Sequence, residues 1–159
     1  KIKKLFLKEN LINNVDFNRV INNFNERFSF YEKEEVEIIK IFNKNSIPFE
    51  VHADIEGPKK NFNVDFIIPN MVEPKFVIEV SEIKTKKYMD VVRRICYIDH
   101  RFQAIKQRNN NIKTVMIIYC KGKRKISMRT FIERETLNTD LYLVNPEKYD
   151  IIEIFKKLS

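Results

Sequence analysis

The chain of 159 residues carries 30 lysine and arginine residues against 22 aspartate and glutamate residues, which gives a formal net charge of +8. This length fits one domain with a sizeable core, and a composition of 43% hydrophobic and 33% charged residues excludes a disordered or fibrous protein. The charge favours a polyanionic partner such as DNA, although a compositional bias of the genome would produce the same basic character.

Several features of the sequence bear on location. No apolar run approaches the roughly 20 residues of a membrane span, and no signal peptide is recognisable, so we expect no membrane partner. Cys96 and Cys120 cannot form a disulfide framework or a four-ligand zinc site, which indicates a reducing, cytoplasmic location. His52 and His100 show no metal-binding spacing, and we interpret both as surface or half-buried side chains. The first residue is Lys1, which indicates that the chain has lost its start or belongs to a longer protein.

The first predicted elements are helical. A weak helical pattern over 1–28 fits either an extra DNA-facing element or a cap on the fold. Ser29, followed by acidic residues in the next turn, predicts a helix over 30–43. Glu35 lies three and four residues before the first two residues of the apolar stripe, which places it on the same inward face of the helix. The alternative interpretation is that its carboxylate extends to solvent. The stripe consists of Ile38, Ile39 and Phe42.

Three apolar runs follow, over 47–56, 62–68 and 76–80. The turn residues Gly57 and Pro58 and the connection 69–74 predict an antiparallel meander of three strands. Asp65 and Glu79 would then lie on neighbouring strands. Because a carboxylate among Val, Ile and Phe is costly to bury unless it is paired or holds a metal, we interpret these acids as the centre of a divalent-metal site.

The second half of the chain completes an α/β pattern. A helix is predicted over 86–109, because apolar residues recur at intervals of three and four, while its other faces carry basic residues such as Arg101 against only Asp90 and Asp99. Its apolar seam consists of Val91, Ile95, Ile98, Phe102 and Ile105. A strand buried on both faces, a helix, a strand and a final helix follow over 114–120, 128–135, 140–144 and 149–158. This order predicts a single α/β domain, in which a mixed sheet of four to five strands is flanked by helices.

Three segments carry a resemblance to a known family: Glu35 with the helix stripe, Asp65-Phe66-Ile67-Ile68-Pro69, and Ile78-Glu79-Val80-Ser81. The order of elements, with acids in the helix and in the second and third strands, resembles the core of the PD-(D/E)xK nuclease superfamily, and most closely its very short patch repair endonuclease-like group. The match covers about 29–119. It implies a restriction endonuclease-like αβββαβ core over 29–120, after a helical extension over 1–28 and before a C-terminal strand and helices over 121–159.

The resemblance implies a magnesium-dependent DNA endonuclease of restriction or repair type. Asp65 and Glu79 would bind Mg²⁺, for which Mn²⁺ can substitute, with the Val80 carbonyl as a third protein oxygen. Glu35 would orient a metal-bound water or hold a second ion. The chain departs from the family at Ser81, where the superfamily usually has lysine, so that Ser81 either ligates weakly or leaves this task vacant. The nearest substitute is Lys84, whose alternative interpretation is a solvated residue at a strand end.

Basic residues after the third strand would supply the DNA-binding surface. Lys86, Lys87, Arg93 and Arg94 can contact phosphates, although a solvated face is the alternative. By resemblance, Gln103 would face the site. Two other functions stay open: a catalytically inactive DNA-binding module of the same fold, favoured by the missing lysine, and a structure-specific or RNA nuclease. A homodimer is expected for a double-strand cutter, because one such site cuts one strand.

Overall fold

A computed structural model of the protein describes residues 33–84, 87–120 and 127–156. The chain divides into two compact units after Val36, and the described part of the first unit is Lys33–Val36, the first turn of a helix. The expected extension 1–28, the cap at Ser29, the turn at 121–123 and Lys86 lie outside the described residues. The described elements are α1 Lys33–Lys44, β1 Glu50–Glu56, β2 Asn61–Ile68, β3 Phe76–Ile83, α2 Tyr88–Arg108, β4 Lys113–Cys120, α3 Met128–Glu135, β5 Leu141–Val144 and α4 Lys148–Lys156.

The five strands form one mixed sheet in the order β1-β2-β3-β4-β5. β1, β2 and β3 are antiparallel, as the short turns predict, whereas β3, β4 and β5 are parallel. Parallel neighbours need a crossover connection, and α2 and α3 occupy the connections between these strands in the chain. The predicted α/β class, element order and mixed sheet are confirmed; a restriction endonuclease-like core stays a prediction.

The core beneath α2 follows the predicted periodicity. All five seam residues of α2 are buried, and they pack with Val77 and Ile83 of β3 and with Met116 and Ile118 of β4. Residues Thr114 to Ile118 of β4 are all buried, as a strand covered on both faces requires. This packing fixes α2 over β3 and β4, and α2 is the element that carries the arginines described below.

Aromatic rings build a second cluster. Phe42 of α1 meets Phe66 of β2 and Phe155 of α4 edge to face, with ring centroids 5.6 and 5.2 Å apart. Phe76 of β3 contacts the same Phe155 ring. Since Phe76 and Val77 are successive strand residues, they point to opposite faces of the sheet. The sheet therefore has an aromatic core on one face and the aliphatic core under α2 on the other.

Two features differ from the sequence prediction. β3 continues to Ile83 rather than ending at Val80, because its parallel pairing with β4 extends through Ile83 and Cys120. Asp99, which the charge pattern placed on an outer face of α2, is 7% exposed. Its carboxylate accepts hydrogen bonds from the backbone amides of Leu137 and Asn138 and from the Asn138 and Thr139 side chains. These groups precede β5, so that the buried Asp99 carboxylate ties this loop to α2.

Among the helices within the described residues, none combines the length and the apolar character needed to cross a membrane.

Candidate metal centre

The candidate site begins at a distortion in the hairpin of β1 and β2. Val51 pairs with Phe66 and Ala53 with Val64, so that His52 stands opposite Asp65. His52 has a φ of 48°, a left-handed conformation that is uncommon for residues other than glycine. Backbone strain of this kind is concentrated at functional sites. Ligand atoms of His52 and Asp65 lie within 4.8 Å of each other.

The alternation of β2 changes at the same point. Residues an odd number of positions apart in a regular strand point to opposite faces, but Val64 and Ile67 both pack in the aliphatic core. The break lies between them, where Asp65 and Phe66 stand. At this break in the alternation, the side chains of Asp65 and His52 approach each other.

The carboxyl of Asp65 is buried without full electrostatic compensation. Burial raises the pKa of its carboxyl above the ordinary value, although the Val80 amide and the nearby charges of His52, Arg101 and Arg94 act to lower it. The Val80 N–H donates a hydrogen bond to Oδ2 of Asp65 at 2.6 Å. Burial thus penalises the carboxylate more than its neighbours compensate. A bound cation would restore that balance.

Glu79 lies beside Asp65 and already has a cationic partner. The last ladder pair of β2 and β3 is Phe66 with Ile78, and Asp65 and Glu79 occupy the next positions. Glu79 is 1% exposed, and its two carboxylate oxygens lie 3.0 and 3.1 Å from the two terminal nitrogens of Arg101. Nη1 donates a hydrogen bond to Oε2, and Nη2 forms an ion pair with Oε1. Arg101 also donates to the backbone carbonyl of Asn63.

Ser81, two residues after Glu79, has a matching partner on α2. The Nε of Arg94 donates a hydrogen bond to Ser81 Oγ at 2.8 Å, and Ser81 is 2% exposed. Arg94 and Arg101 are seven residues apart, which is about two helical turns and one helix face. Glu79 and Ser81 share one strand face. α2 thus extends two guanidinium groups to two successive positions on one face of β3, one of them the position of the expected lysine.

The other expected catalytic residues have different surroundings. Glu35 is 6% exposed, so that its carboxylate does not extend into solvent as the alternative interpretation held. Lys84 has a 77% exposed side chain, and its ammonium lies 2.9 Å from Glu82, a residue that alternates with Ser81 along β3. Val80 contributes its amide to Asp65. The structure brings Asp65 together with Val80, whereas Lys84 forms an ion pair with Glu82.

The expected DNA-contacting residues are spread along α2. Lys87 and Arg93 are exposed, as is Gln103. Arg94 is exposed as well, but its Nε donates to Ser81, which makes it part of the polar network on β3.

Two residues of the site were missed in the sequence. His52 was interpreted as an ordinary half-buried histidine, but counting from the turn in which the Gly57 amide bonds to the Lys60 carbonyl places it opposite Asp65. Arg101 was assigned to an outer face of α2, although its side chain is only 14% exposed. The register of the hairpin could have identified His52, and the seven-residue spacing from Arg94 could have identified Arg101.

Comparison of the chain with known protein families, curated proteins and solved structures found no match. Membership of the PD-(D/E)xK superfamily therefore stays a prediction from the three sequence motifs. What supports a function is the arrangement of His52, Asp65, Glu79 and the two arginines of α2.

Proposed function

We propose that this protein is a divalent-metal-dependent nuclease that hydrolyses phosphodiester bonds in DNA, with Asp65 as its central metal ligand. The observation that carries the proposal is the approach of the His52 imidazole to the half-buried Asp65 carboxylate across β1 and β2. The raised pKa of Asp65 supports it, because a cation would offset the burial of the charge.

The proposed ligand set consists of His52 and Asp65. Carboxylate oxygens suit Mg²⁺, whereas an imidazole nitrogen is more typical of transition metals such as Mn²⁺. We therefore expect Mn²⁺ to support activity at least as well as the Mg²⁺ inferred from the resemblance. When bound, such an ion supplies charge for the developing phosphate and lowers the pKa of a bound water.

The remaining polar residues would organise the site. The Val80 amide fixes one oxygen of Asp65 and leaves the other for a ligand. Arg101 holds Glu79 in place through one hydrogen bond and an ion pair, and Arg94 holds Ser81. A guanidinium stays protonated in proteins, so that Arg101 cannot serve as a general base. Its proposed role is to position Glu79 and to add positive charge near the scissile phosphate.

The main alternative is a catalytically inactive DNA-binding module of the same fold. The observation that favours it is the polar network on β3, in which Arg101 neutralises Glu79 and Arg94 bonds to Ser81. In this alternative, Glu79 and Ser81, which stand at the positions of the second metal ligand and of the lysine, have a structural role only. Such a module would bind DNA without cutting it.

Cleavage of supercoiled plasmid in Mn²⁺, in Mg²⁺ and in EDTA tests the proposal. Asp65→Asn is the preferred variant, since its amide oxygen can still accept the Val80 hydrogen bond. Asp54→Asn is the matched control, because Asp54 is an exposed carboxylate on β1, two residues from His52. We expect metal-dependent cutting that Asp65→Asn lowers about 100-fold and the control leaves intact.

Each other outcome has a definite meaning. Equal cutting by wild type and Asp65→Asn would eliminate the proposed centre. DNA binding without cutting in either metal would establish the inactive module. Cutting of an RNA of the same sequence in preference to DNA would favour the RNA nuclease over the proposal.

A further inference from the structure

A groove separate from the metal-centre residues lies between the β1–β2 turn and the second half of α2. Its volume is about 410 Å³. The groove residues include Lys59 and Lys60 on the turn, Phe62 at the start of β2, and His100, Gln103 and Gln107 on α2. We propose that this groove binds one unpaired nucleotide of a single-stranded nucleic acid.

The charge of the groove selects an anion. Lys59 and Lys60 are exposed, and no aspartate or glutamate is among the residues that line it. The Lys60 ammonium lies over the Phe62 ring, 5.2 Å from the centre of the ring, so that positive charge and the aromatic side chain stand together. A phosphate beside these two lysines would meet positive charge, and the lining of the groove contributes no carboxylate.

The wall on α2 has a different chemistry from the lysine turn. His100, Gln103 and Gln107 are spaced by three and four residues, which places them on one helical stripe. Each glutamine amide offers two donors and one acceptor oxygen, a combination that matches the edges of nucleobases. Phosphate alone would need neither these amides nor the Phe62 ring. Amides, an aromatic ring and lysines together fit a base with its attached phosphate.

The size and shape favour a single strand over a duplex. Pockets for small molecules have volumes of about 300–1,000 Å³, and this groove lies near the lower end. In a duplex the bases are stacked and their pairing edges are occupied. Only an unpaired base can enter a groove and present those edges to Gln103 and Gln107.

The groove is close to the candidate metal centre along β2. Phe62 and Asp65 are three residues apart, which is about 10 Å in an extended strand. Arg101 follows His100 on α2 and bonds to the carbonyl of Asn63. If the proposed nuclease function holds, a nucleotide in the groove would place a neighbouring phosphodiester near Asp65. The substrate would then be single-stranded or branched DNA, whereas strand binding itself does not depend on that function.

Fluorescence anisotropy in EDTA tests binding separately from cleavage, with a labelled 12-nucleotide single strand of DNA, the same sequence as RNA, and its duplex. The charge variant is Lys59→Gln/Lys60→Gln. The matched control is Lys44→Gln/Lys113→Gln, which removes the same charge at two exposed positions outside the groove. The amide variant is Gln103→Ala/Gln107→Ala.

We expect the charge variant to weaken single-strand binding and to lower the salt slope by about 1.4, since each phosphate contact in a single strand contributes about 0.7. The affinity lost between 50 and 200 mM salt should thus be about sevenfold smaller than in wild type. The amide variant should weaken binding with an unchanged salt slope, because amides release no counterions. The duplex should bind more weakly than the single strand.

Charge-variant binding equal to that of the control variant would overturn the proposal, as would equal single-strand affinity in the amide variant. Tighter binding of the duplex would also overturn it. RNA binding with the same dependence on both variants would support the groove as a single-strand site. Groove-dependent binding without cutting in any metal would leave the groove intact and refute the nuclease function instead.

Discussion

The ion pair between Arg101 and Glu79 allows a quantitative test of the polar network on β3. Arg101→Met removes the guanidinium and keeps much of the aliphatic stem that packs along α2. It leaves Glu79, which is 1% exposed, without the two nitrogens now 3.0 and 3.1 Å from its oxygens. Removing one partner of a buried ion pair typically costs about 3–5 kcal/mol. We expect a loss of that size in the free energy of unfolding, measured by urea denaturation at pH 7 in EDTA.

Two further variants show whether the loss comes from the stranded charge. Arg94→Met removes the same group from the same helix face, but its partner is the neutral hydroxyl of Ser81, so that we expect a loss of about 1–2 kcal/mol. The double variant Arg101→Met/Glu79→Leu removes both charges and should recover most of the stability, because an apolar replacement of a buried pair is often neutral.

Metal addition extends the same experiment. A ligand that binds only the folded state stabilises it by about 2.7 kcal/mol at 100 times its dissociation constant. Removing the guanidinium takes a competing positive charge away from Glu79, beside Asp65. Mn²⁺ should therefore stabilise Arg101→Met more than wild type. Equal losses in Arg101→Met and Arg94→Met, or a double variant as unstable as Arg101→Met, would refute the reasoning.

Three further predictions concern other parts of the fold. Burial acts to raise the pKa of Asp140, but hydrogen bonds from Lys106 and Thr114 and the charge of Lys106 outweigh it and lower that pKa. The carboxylate therefore contributes to folding stability above its ordinary pKa, and this contribution is lost as the pH falls. Asp140→Asn should cost about 1 kcal/mol in the free energy of unfolding at pH 7 and nearly nothing at pH 2, measured by urea denaturation. Asp99→Ala removes the acceptor of the loop before β5 and should cost about 2–3 kcal/mol in the same assay; a loss under 0.5 kcal/mol would contradict this. Gly57→Ala places Cβ 2.4 Å from the Phe62 ring and should cost about 1–3 kcal/mol, while a melting temperature equal to that of wild type would contradict the clash.

The elements of the fold were predictable because local patterns determine them. The helical seam from Val91 to Ile105 and the apolar run at 114–120 each contain enough periodic residues to identify the element without tertiary information. The end of β3 was not predictable in this way. Its last residues include Ser81 and Glu82, and only the parallel pairing with β4 keeps them in the strand.

The candidate site was predictable where burial of a charge is anomalous in sequence. Asp65 and Glu79 stand out because apolar neighbours make a carboxylate costly. Arg101 and Asp99 do not, since charged residues on a long helix are usually solvated, and only their tertiary partners reveal their roles. His52 required the register of the hairpin, which a sequence pattern does not fix until the length of the turn is known.

The distribution of positive charge distinguishes two versions of the metal centre. Arg101 pairs with Glu79 at both oxygens, and Arg94 bonds to Ser81. Asp65 is close enough to both arginines for their charges to lower its pKa, yet burial still raises that pKa above its ordinary value. Under the proposed function, a cation beside Glu79 would have to compete with a guanidinium, whereas a cation beside Asp65 and His52 would offset the burial of a carboxylate. A centre built on Asp65 and Glu79 alone, as the motifs imply, would require Arg101 to move first, whereas a centre on Asp65 and His52 would not.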